Sequence, residues 1–469
     1  MSNPKNQQVE EQNSSFIIQH SSFLLLLGAV LASVALKTWL LLADVVPFNS
    51  DEAVVALMAR HILQGERPIF FYGQAYMGSL DAWLVAGAFR FFGEKVWAIR
   101  LVQTLLYLGF MYTLWLLARR FFQSPAVSGF VALVVAIPPV VVTTYTTATL
   151  GGYGESLVLG NLILLLGYEV VFGRWGQQWM AWLGLGLVGG LAFWTLGIAG
   201  VYLLPVGLVG LWNFRMRNVK YYSLSALGFV FGCSPWLYYN WIGDWEALRF
   251  LVEGTRQGLA PTTPFDRFLG LGLLGVPALI GIRFPWSSTY SPGILNAVGL
   301  VLFLGTALSL IGFTQHSVVR VRKGVWSLMG LMVGVFSVIF ISTRFGVDST
   351  GRYLLPLYAP LALATGMFIW GAYCVKPKYG ILLLSMVLLF NGVQTWRAAI
   401  SPEKITTQFG PLTRFDNDHD DDLIKFLFEH GETEGYTNYW VSYRLAFLTQ
   451  EEIIYAPLLP YREDLRYEP

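Results

Sequence analysis

The chain has 469 residues, of which 55% are hydrophobic, 16% aromatic and 13% charged, with a mean hydropathy of +0.54. A soluble domain carries roughly 25% charge, so a water-soluble enzyme is excluded. The net charge of +2, from 31 basic and 29 acidic residues, is too balanced to make a nucleic-acid-binding surface.

In chain order, the sequence predicts an all-α polytopic membrane protein in three parts. Residues 1–22 form a cytoplasmic tail, 23–396 a transmembrane domain, and 397–469 a small extracytoplasmic α/β appendage. A spanning helix needs about 20 apolar residues to cross ~30 Å of hydrocarbon at ~1.5 Å per residue. Eleven stretches qualify: 23–46, 96–118, 126–143, 156–172, 178–194, 197–213, 222–239, 293–313, 325–342, 353–374 and 379–396. Segments 79–92 and 268–282 are either short spans or helices lying in the interface, so the expected total is 11 to 13. The first stretch is longer than a signal-peptide core and is interrupted by Lys37, which predicts a retained anchor.

Lysine and arginine in short loops mark the cytoplasmic side. Alternate loops hold Arg119, Arg120, Arg174, Arg215, Arg217, Lys220, Arg320, Arg322, Lys323, Lys376 and Lys378, with no acid among them. The long connections 47–95 and 240–292 and the C-terminal tail are thereby assigned to the outer face of the plasma (inner) membrane. That tail, Arg397 to Pro469, concentrates 14 of the 29 acids with only 7 of the 31 bases.

Polar residues gather in the outer loops. Pro47-Phe48-Asn49-Ser50-Asp51-Glu52 precedes an apolar-faced segment ending at Gly65. This predicts a helix capped by Ser50, lying along the membrane surface with Asp51 and Glu52 in its first turn. Acids there complement the helix dipole, so a structural role suffices for the pair taken alone. Next comes Arg67-Pro68-Ile69-Phe70-Phe71-Tyr72-Gly73-Gln74-Ala75-Tyr76-Met77-Gly78, suited to lining a sugar or lipid site, or to an aromatic belt.

The order of span, outer Asp-Glu, helix, Gly-x-x-Pro and aromatic loop resembles the GT-C type membrane glycosyltransferases that use polyprenyl-phosphate sugars. Protein O-mannosyltransferases and the lipid A aminoarabinose transferase belong to that group. Arg352-Tyr353-Leu354-Leu355-Pro356 is similar to its Arg-Tyr-x-x-Pro signature. The resemblance covers roughly residues 20–395. It implies a polyprenyl-phosphate-linked sugar as donor, membrane lipids as surroundings, an acceptor glycan, lipid or protein, and Asp51 as the catalytic residue. Members that use a divalent metal add an acid or histidine from the outer loops. Here that loop reads Tyr72-Gly73-Gln74-Ala75-Tyr76, which leaves metal dependence open.

Sugar transfer from such a donor needs a base for the acceptor hydroxyl and cations for the departing phosphate. Asp51 is the candidate base, and Glu52 or Glu155 a second carboxylate facing an oxocarbenium-like transition state. Adjacent helical residues diverge by ~100°, so Asp51 and Glu52 do not share a proton. Arginine binds two phosphate oxygens at once. Arg352, Arg344 and Arg256 are the candidates, against the bland reading of snorkelling and an Arg344–Asp348 ion pair. Tyr72, Gln74, Tyr76, Tyr153 and Tyr353 complete the expected substrate contacts.

In the tail, a helix from Asp421 to His430 and strands over 435–443 and 452–455 are expected. The run Asp416–Asp422 lacks the EF-hand glycine and final glutamate. The five histidines show no ligand spacing, the cysteines Cys233 and Cys374 lie in apolar runs, and no GxxxxGK[ST] or HExxH occurs. A transporter or flippase of a lipid-linked substrate is the alternative class, and a non-catalytic scaffold a third.

Overall fold

The computed structural model describes residues 4–214, 216–249, 262–313, 320–348, 350–410, 413–415 and 417–458, with the backbone alone at 4–20, 217, 311–313 and 344. Helix α1 (Pro4–Leu42) is followed by α2 (Ser50–Gln64), a hairpin of β1 (Phe70–Phe71) and β2 (Gln74–Gly78), and α3 (Leu80–Phe92). Then come α4 (Val96–Phe121), α5 (Pro125–Val134), α6 (Val140–Tyr145), α7 (Tyr153–Val171), α8 (Trp179–Thr195), α9 (Gly200–Trp212), α10 (Val219–Gly232) and α11 (Ser234–Ile242).

Seven helices in the described residues are long and apolar enough to cross a membrane. Other expected spans are shorter or broken, and proline explains two of the breaks. Pro138 and Pro139 split 126–143 into α5 and α6, and Pro235 separates α10 from α11. Neither 79–92 nor 268–282 forms a helix of spanning length. The first is α3, 13 residues. The second runs through Pro264–Gly270, a π-helical turn at Leu271–Gly275 and Val276–Leu279.

Small residues set the closest helix contact. A Cβ on Gly186 would lie 1.9 Å from the Ser225 carbonyl, and one on Gly190 2.1 Å from that of Phe229. Gly228 and Gly232 face the carbonyls of Leu183 and Leu187 at 2.3 and 2.2 Å. Helices α8 and α10 therefore touch backbone to backbone, the arrangement that paired small-xxx-small motifs permit in lipid.

The apolar face of helix α2 is covered by protein. Eleven of its fifteen residues are buried, because α3 covers one side and a C-terminal helix the other. Its cap is Asn49, whose side chain accepts from the Glu52 amide at 3.1 Å, and Ser50 is instead the first helical residue. Gly65, with φ of 115°, ends the helix as expected.

The C-terminal segment follows four further helices of spanning length, Gly293–Phe313, Val325–Ser342, Tyr358–Val375 and Pro377–Ala399. It holds a helix at Asp420–His430, then β3 (Glu434–Thr437), a helix at Tyr439–Leu448 and β4 (Ile454–Pro457). The two strands pair in parallel, which requires a crossover element between them. Residues 439–443, expected as strand, are part of that crossover helix. Asp420 accepts from the Arg444 guanidinium, so this acid of the run serves the segment's own packing.

This segment is strapped to α2. The Ile405 amide donates to the Val45 carbonyl at 2.8 Å, and Asn49 to the Thr407 hydroxyl at 3.0 Å. At the other end of α2, Arg60 bonds Glu451 at 3.1 Å, Glu94 at 2.6 Å and the Phe447 carbonyl at 3.2 Å. His61 lies 3.0 Å from Glu451 and 2.8 Å from the Tyr72 hydroxyl.

Two predictions follow from these contacts. Gly190→Leu forces α8 and α10 apart and lowers the melting temperature in detergent, with overpacking costing about 1–3 kcal/mol or more. The His61 clasp titrates. Its bond to Glu451 raises the ring pKa above the ordinary 6.5, so its contribution is full below 6.5 and lost as pH climbs through the raised value. Burial pushes Glu451 up, but its bonds to His61 and Arg60 outweigh that and hold it below 4.5, so this part fails only in acid. Hydrogen-exchange protection of residues 439–451 should therefore decline as pH rises above 6.5 and through the raised pKa, and His61→Ala should flatten that decline.

Candidate active site

A cavity of about 560 Å³ opens beside the start of α2. Asp51 lies on its wall, placed there by the first turn of a helix whose other faces are packed. Its Oδ1 accepts from the Tyr439 hydroxyl at 2.7 Å. Gln74 and Tyr76 enter from β2, two residues apart and hence on one side of the strand. The irregular pairing at Phe70/Phe71 and Gly73, with φ of 69°, make the tight return that presents them.

Asp348, Arg352 and Tyr353 also line the cavity. Gly351, with φ of 92°, turns the chain into a 3-10 helix over Arg352–Leu357. Arg352 Nε lies 2.6 Å from Asp348 Oδ2, and its Nη2 donates to the Tyr353 hydroxyl at 3.2 Å. Asp348 is thus paired with Arg352, and it also accepts from the Thr350 amide at 2.9 Å. Tyr145 and Tyr153, ring centroids 5.3 Å apart, line it as well.

Below this polar end the cavity becomes a greasy trough. Leu196, Gly197, Ile198, Gly200 and Val201, where α8 gives way to α9, face Phe336, Ile339 and Phe340 of the span Val325–Ser342. The antiparallel bridge from Met77 to Leu196 ties the hairpin to that junction.

Of the residues expected at the site, Asp51, Gln74, Tyr76, Tyr153, Arg352 and Tyr353 line this one cavity. Three lie apart from its wall. Glu52 is fully buried and paired with Arg100 at 3.1 Å, because the next residue on a helix turns ~100° away. Tyr72 donates to Glu66 at 2.8 Å and meets His61 outside the cavity. Glu155 is buried in the first turn of α7 against the Asp81 carboxyl. Arg256 and the side chain of Arg344 lie outside the described residues.

Asp81 escapes a sequence reading because it stands alone at the start of an apolar helix. It accepts from Gln103 at 2.9 Å and from the Thr149 hydroxyl, and burial pushes its carboxyl up to about 6. Also missed are Thr407, Phe409, Gly410, Thr413, Tyr439 and Trp440, which the C-terminal segment contributes to the cavity. The Tyr-Trp pair directly after a capping asparagine is the signal that was there to read. Among the described residues, no group of three or more His, Cys, Asp or Glu gathers to hold a metal.

Comparisons with known proteins bear on this arrangement. Residues 79–239 match the sequence model of the dolichyl-phosphate-mannose-protein mannosyltransferase family. The undecaprenyl phosphate-alpha-4-amino-4-deoxy-L-arabinose arabinosyl transferase of Pseudomonas aeruginosa (strain UCBPP-PA14) is 30% identical over 291 residues, 61% of this chain and 48% of the relative. Its counterpart in Pseudomonas paraeruginosa (strain DSM 24068 / PA7) is 27% identical over 293 residues. The chain thus spans about half the length of the curated relatives it matches. Among solved structures, ArnT from Cupriavidus metallidurans bound to undecaprenyl phosphate superposes with a TM-score of 0.52 at 13% identity, covering 90% of this chain and 70% of that one. The archaeal oligosaccharyltransferase AglB from Archaeoglobus fulgidus, in complex with an inhibitory peptide and a dolichol-phosphate, gives 0.51 at 12% identity, over 92% and 64%. These likenesses bear out the resemblance carried by the sequence motifs: the chain has the multi-pass membrane fold of the GT-C type glycosyltransferases.

Proposed function

We propose that this protein is a glycosyltransferase that moves a sugar from a polyprenyl-phosphate carrier to an acceptor at the extracytoplasmic face of the plasma membrane. The observation that carries this reading is the junction within one cavity of a carboxylate, an arginine and an apolar trough. An isoprenoid chain fits the trough formed by Leu196–Val201 and Phe336–Phe340, and its phosphate then meets the cationic wall. The relatives named for undecaprenyl-phosphate sugar transfer support the donor class.

In the proposed reaction the acceptor hydroxyl loses its proton to Asp51 as its oxygen bonds the anomeric carbon. The bond from that carbon to the phosphate oxygen breaks, and its electron pair leaves with the phosphate. Arg352 steadies that charge, and the incoming phosphate competes with Asp348 for the guanidinium. Gln74, Tyr76, Tyr153 and Tyr353 offer hydrogen bonds and ring faces to the sugar. Glu52 acts through Arg100, fixing the first turn of α2, and Glu155 supports the neighbouring wall against Asp81. Both are positioning residues in this scheme.

The sidedness rests on charge. Arg119, Arg120, Arg320 and Arg322 gather at the far end of α4, where Phe122 bridges Val321, whereas Asp51 lies near its beginning. The rule that cationic loops stay inside then puts the cavity outside, with the N-terminus in the cytoplasm and the C-terminal segment beyond the outer face.

The test is transfer by the purified protein from radiolabelled undecaprenyl-phosphate sugars, 4-amino-4-deoxy-L-arabinose among them, into cell-envelope extract. Asp51→Asn should reduce transfer at least ~100-fold, the scale of general-base catalysis, with membrane insertion unchanged. Arg352→Ala should raise the donor KM about tenfold or more, the scale of one charged hydrogen bond. Labelled donor that crosses proteoliposomes without sugar transfer would overturn the reading in favour of transport.

A further inference from the structure

Helix Tyr439–Leu448 meets α2 at both ends, and its first residue reaches the cavity. The Tyr439 hydroxyl donates to Asp51 Oδ1 at 2.7 Å, while its backbone carbonyl accepts from Ser50 Oγ at 2.7 Å. One residue of the C-terminal segment thus touches two consecutive residues in the first turn of α2. Its position is over-determined. Asn438 caps the helix, accepting from the Trp440 amide at 2.9 Å, and the Tyr439 ring packs against Trp440 and Tyr443 at 5.0 and 5.2 Å. Arg60 and His61 hold Glu451 just past the helix end. Both Tyr439 and Trp440 form part of the cavity wall.

We propose that Tyr439 is a positioning residue for Asp51, so that the C-terminal segment completes the active site; this rests on the glycosyltransferase reading above. A base must present its lone pair along the line of the proton it takes, and a carboxylate on a short side chain rotates freely unless something holds it. The phenol supplies that hold. Tyr439 keeps its own proton throughout. The acceptor's proton goes to Asp51, the electron pair of the broken sugar–phosphate bond leaves on the phosphate, and the phenol remains a donor to the carboxyl group.

The full-length protein carrying Tyr439→Phe keeps the ring, the backbone contact to Ser50 and the helix cap. Measured with the radiolabelled undecaprenyl-phosphate sugar that the wild type uses, kcat should fall about ten- to a hundredfold, the scale of one hydrogen bond to a charged group. The donor KM and the melting temperature should stay unchanged. Tyr436→Phe, which alters an exposed tyrosine of β3, should behave as wild type. If Asp51→Asn is inactive but Tyr439→Phe keeps wild-type kcat, the positioning role is overturned and the glycosyltransferase reading stands. A loss that a lower melting temperature or weaker donor binding fully accounts for also overturns it, since that is what a purely structural contact would give. If Asp51→Asn remains active, the assignment of the base fails, and the role of Tyr439 fails with it.

Discussion

The buried pair of Glu52 and Arg100 sets the geometry on which the cavity depends. Arg100 Nη2 lies 3.1 Å from Glu52 Oε2 and also donates to the Val46 carbonyl at 2.7 Å. One guanidinium from α4 therefore fixes both the chain entering α2 and its first turn. A buried pair of this kind adds little net stability, but losing one partner is expensive, about 3–5 kcal/mol. Its consequence is directional. With Glu52 pinned inward, the helical rotation of ~100° per residue leaves Asp51 facing the cavity.

Around that fixed turn the protein builds a site from distant stretches of chain. The hairpin brings Gln74 and Tyr76, the 3-10 helix brings Arg352 and Tyr353, and the C-terminal segment brings Thr407, Tyr439 and Trp440. The polar end and the greasy trough meet where α8 passes into α9, and glycine at 197 and 200 leaves the groove without side chains there. The donor proposed above, a charged head on an apolar chain, has the same two-part character as the cavity.

Much of this was legible in the sequence, for reasons that differ by residue. Asp51 and Arg352 stand out because a polar motif next to long apolar runs has few explanations in a membrane protein, and both line the cavity. The helix ending at Gly65 was readable because glycine tolerates the left-handed turn that ends it. Its burial was not readable, since an apolar face looks the same whether lipid or protein covers it. Tyr439 was lost because residues 435–443 alternate like a strand while belonging partly to a crossover helix. Tyr72 was assigned to the site on composition alone, and its hydroxyl is used by Glu66 and His61 instead. Asp81 had no motif around it, and only the fold brings Thr149, Gln103 and Glu155 to it.

The remaining buried charges argue about function by what they hold. Lys37 sits within the first span, where an ionisable residue ordinarily marks a transport path. Its ammonium is bonded to the Thr146 carbonyl and hydroxyl at 2.8 Å each and to the Thr147 hydroxyl at 2.6 Å, and it lies 5.1 Å from the centre of the Tyr107 ring. These acceptors belong to the C-terminal end of α6, which carries the partial negative charge of a helix terminus. Nine residues on, Glu155 meets Asp81, and Thr149 between them bonds Asp81 as well. The segment from Tyr145 to Tyr153, which lends Tyr145, Leu150 and Tyr153 to the cavity, is thus tied down at both ends by ionisable side chains. A carrier that alternates its access must release and remake its buried polar contacts in every cycle. Here the contacts fix one wall of one cavity, which suits the glycosyltransferase proposed above better than a carrier.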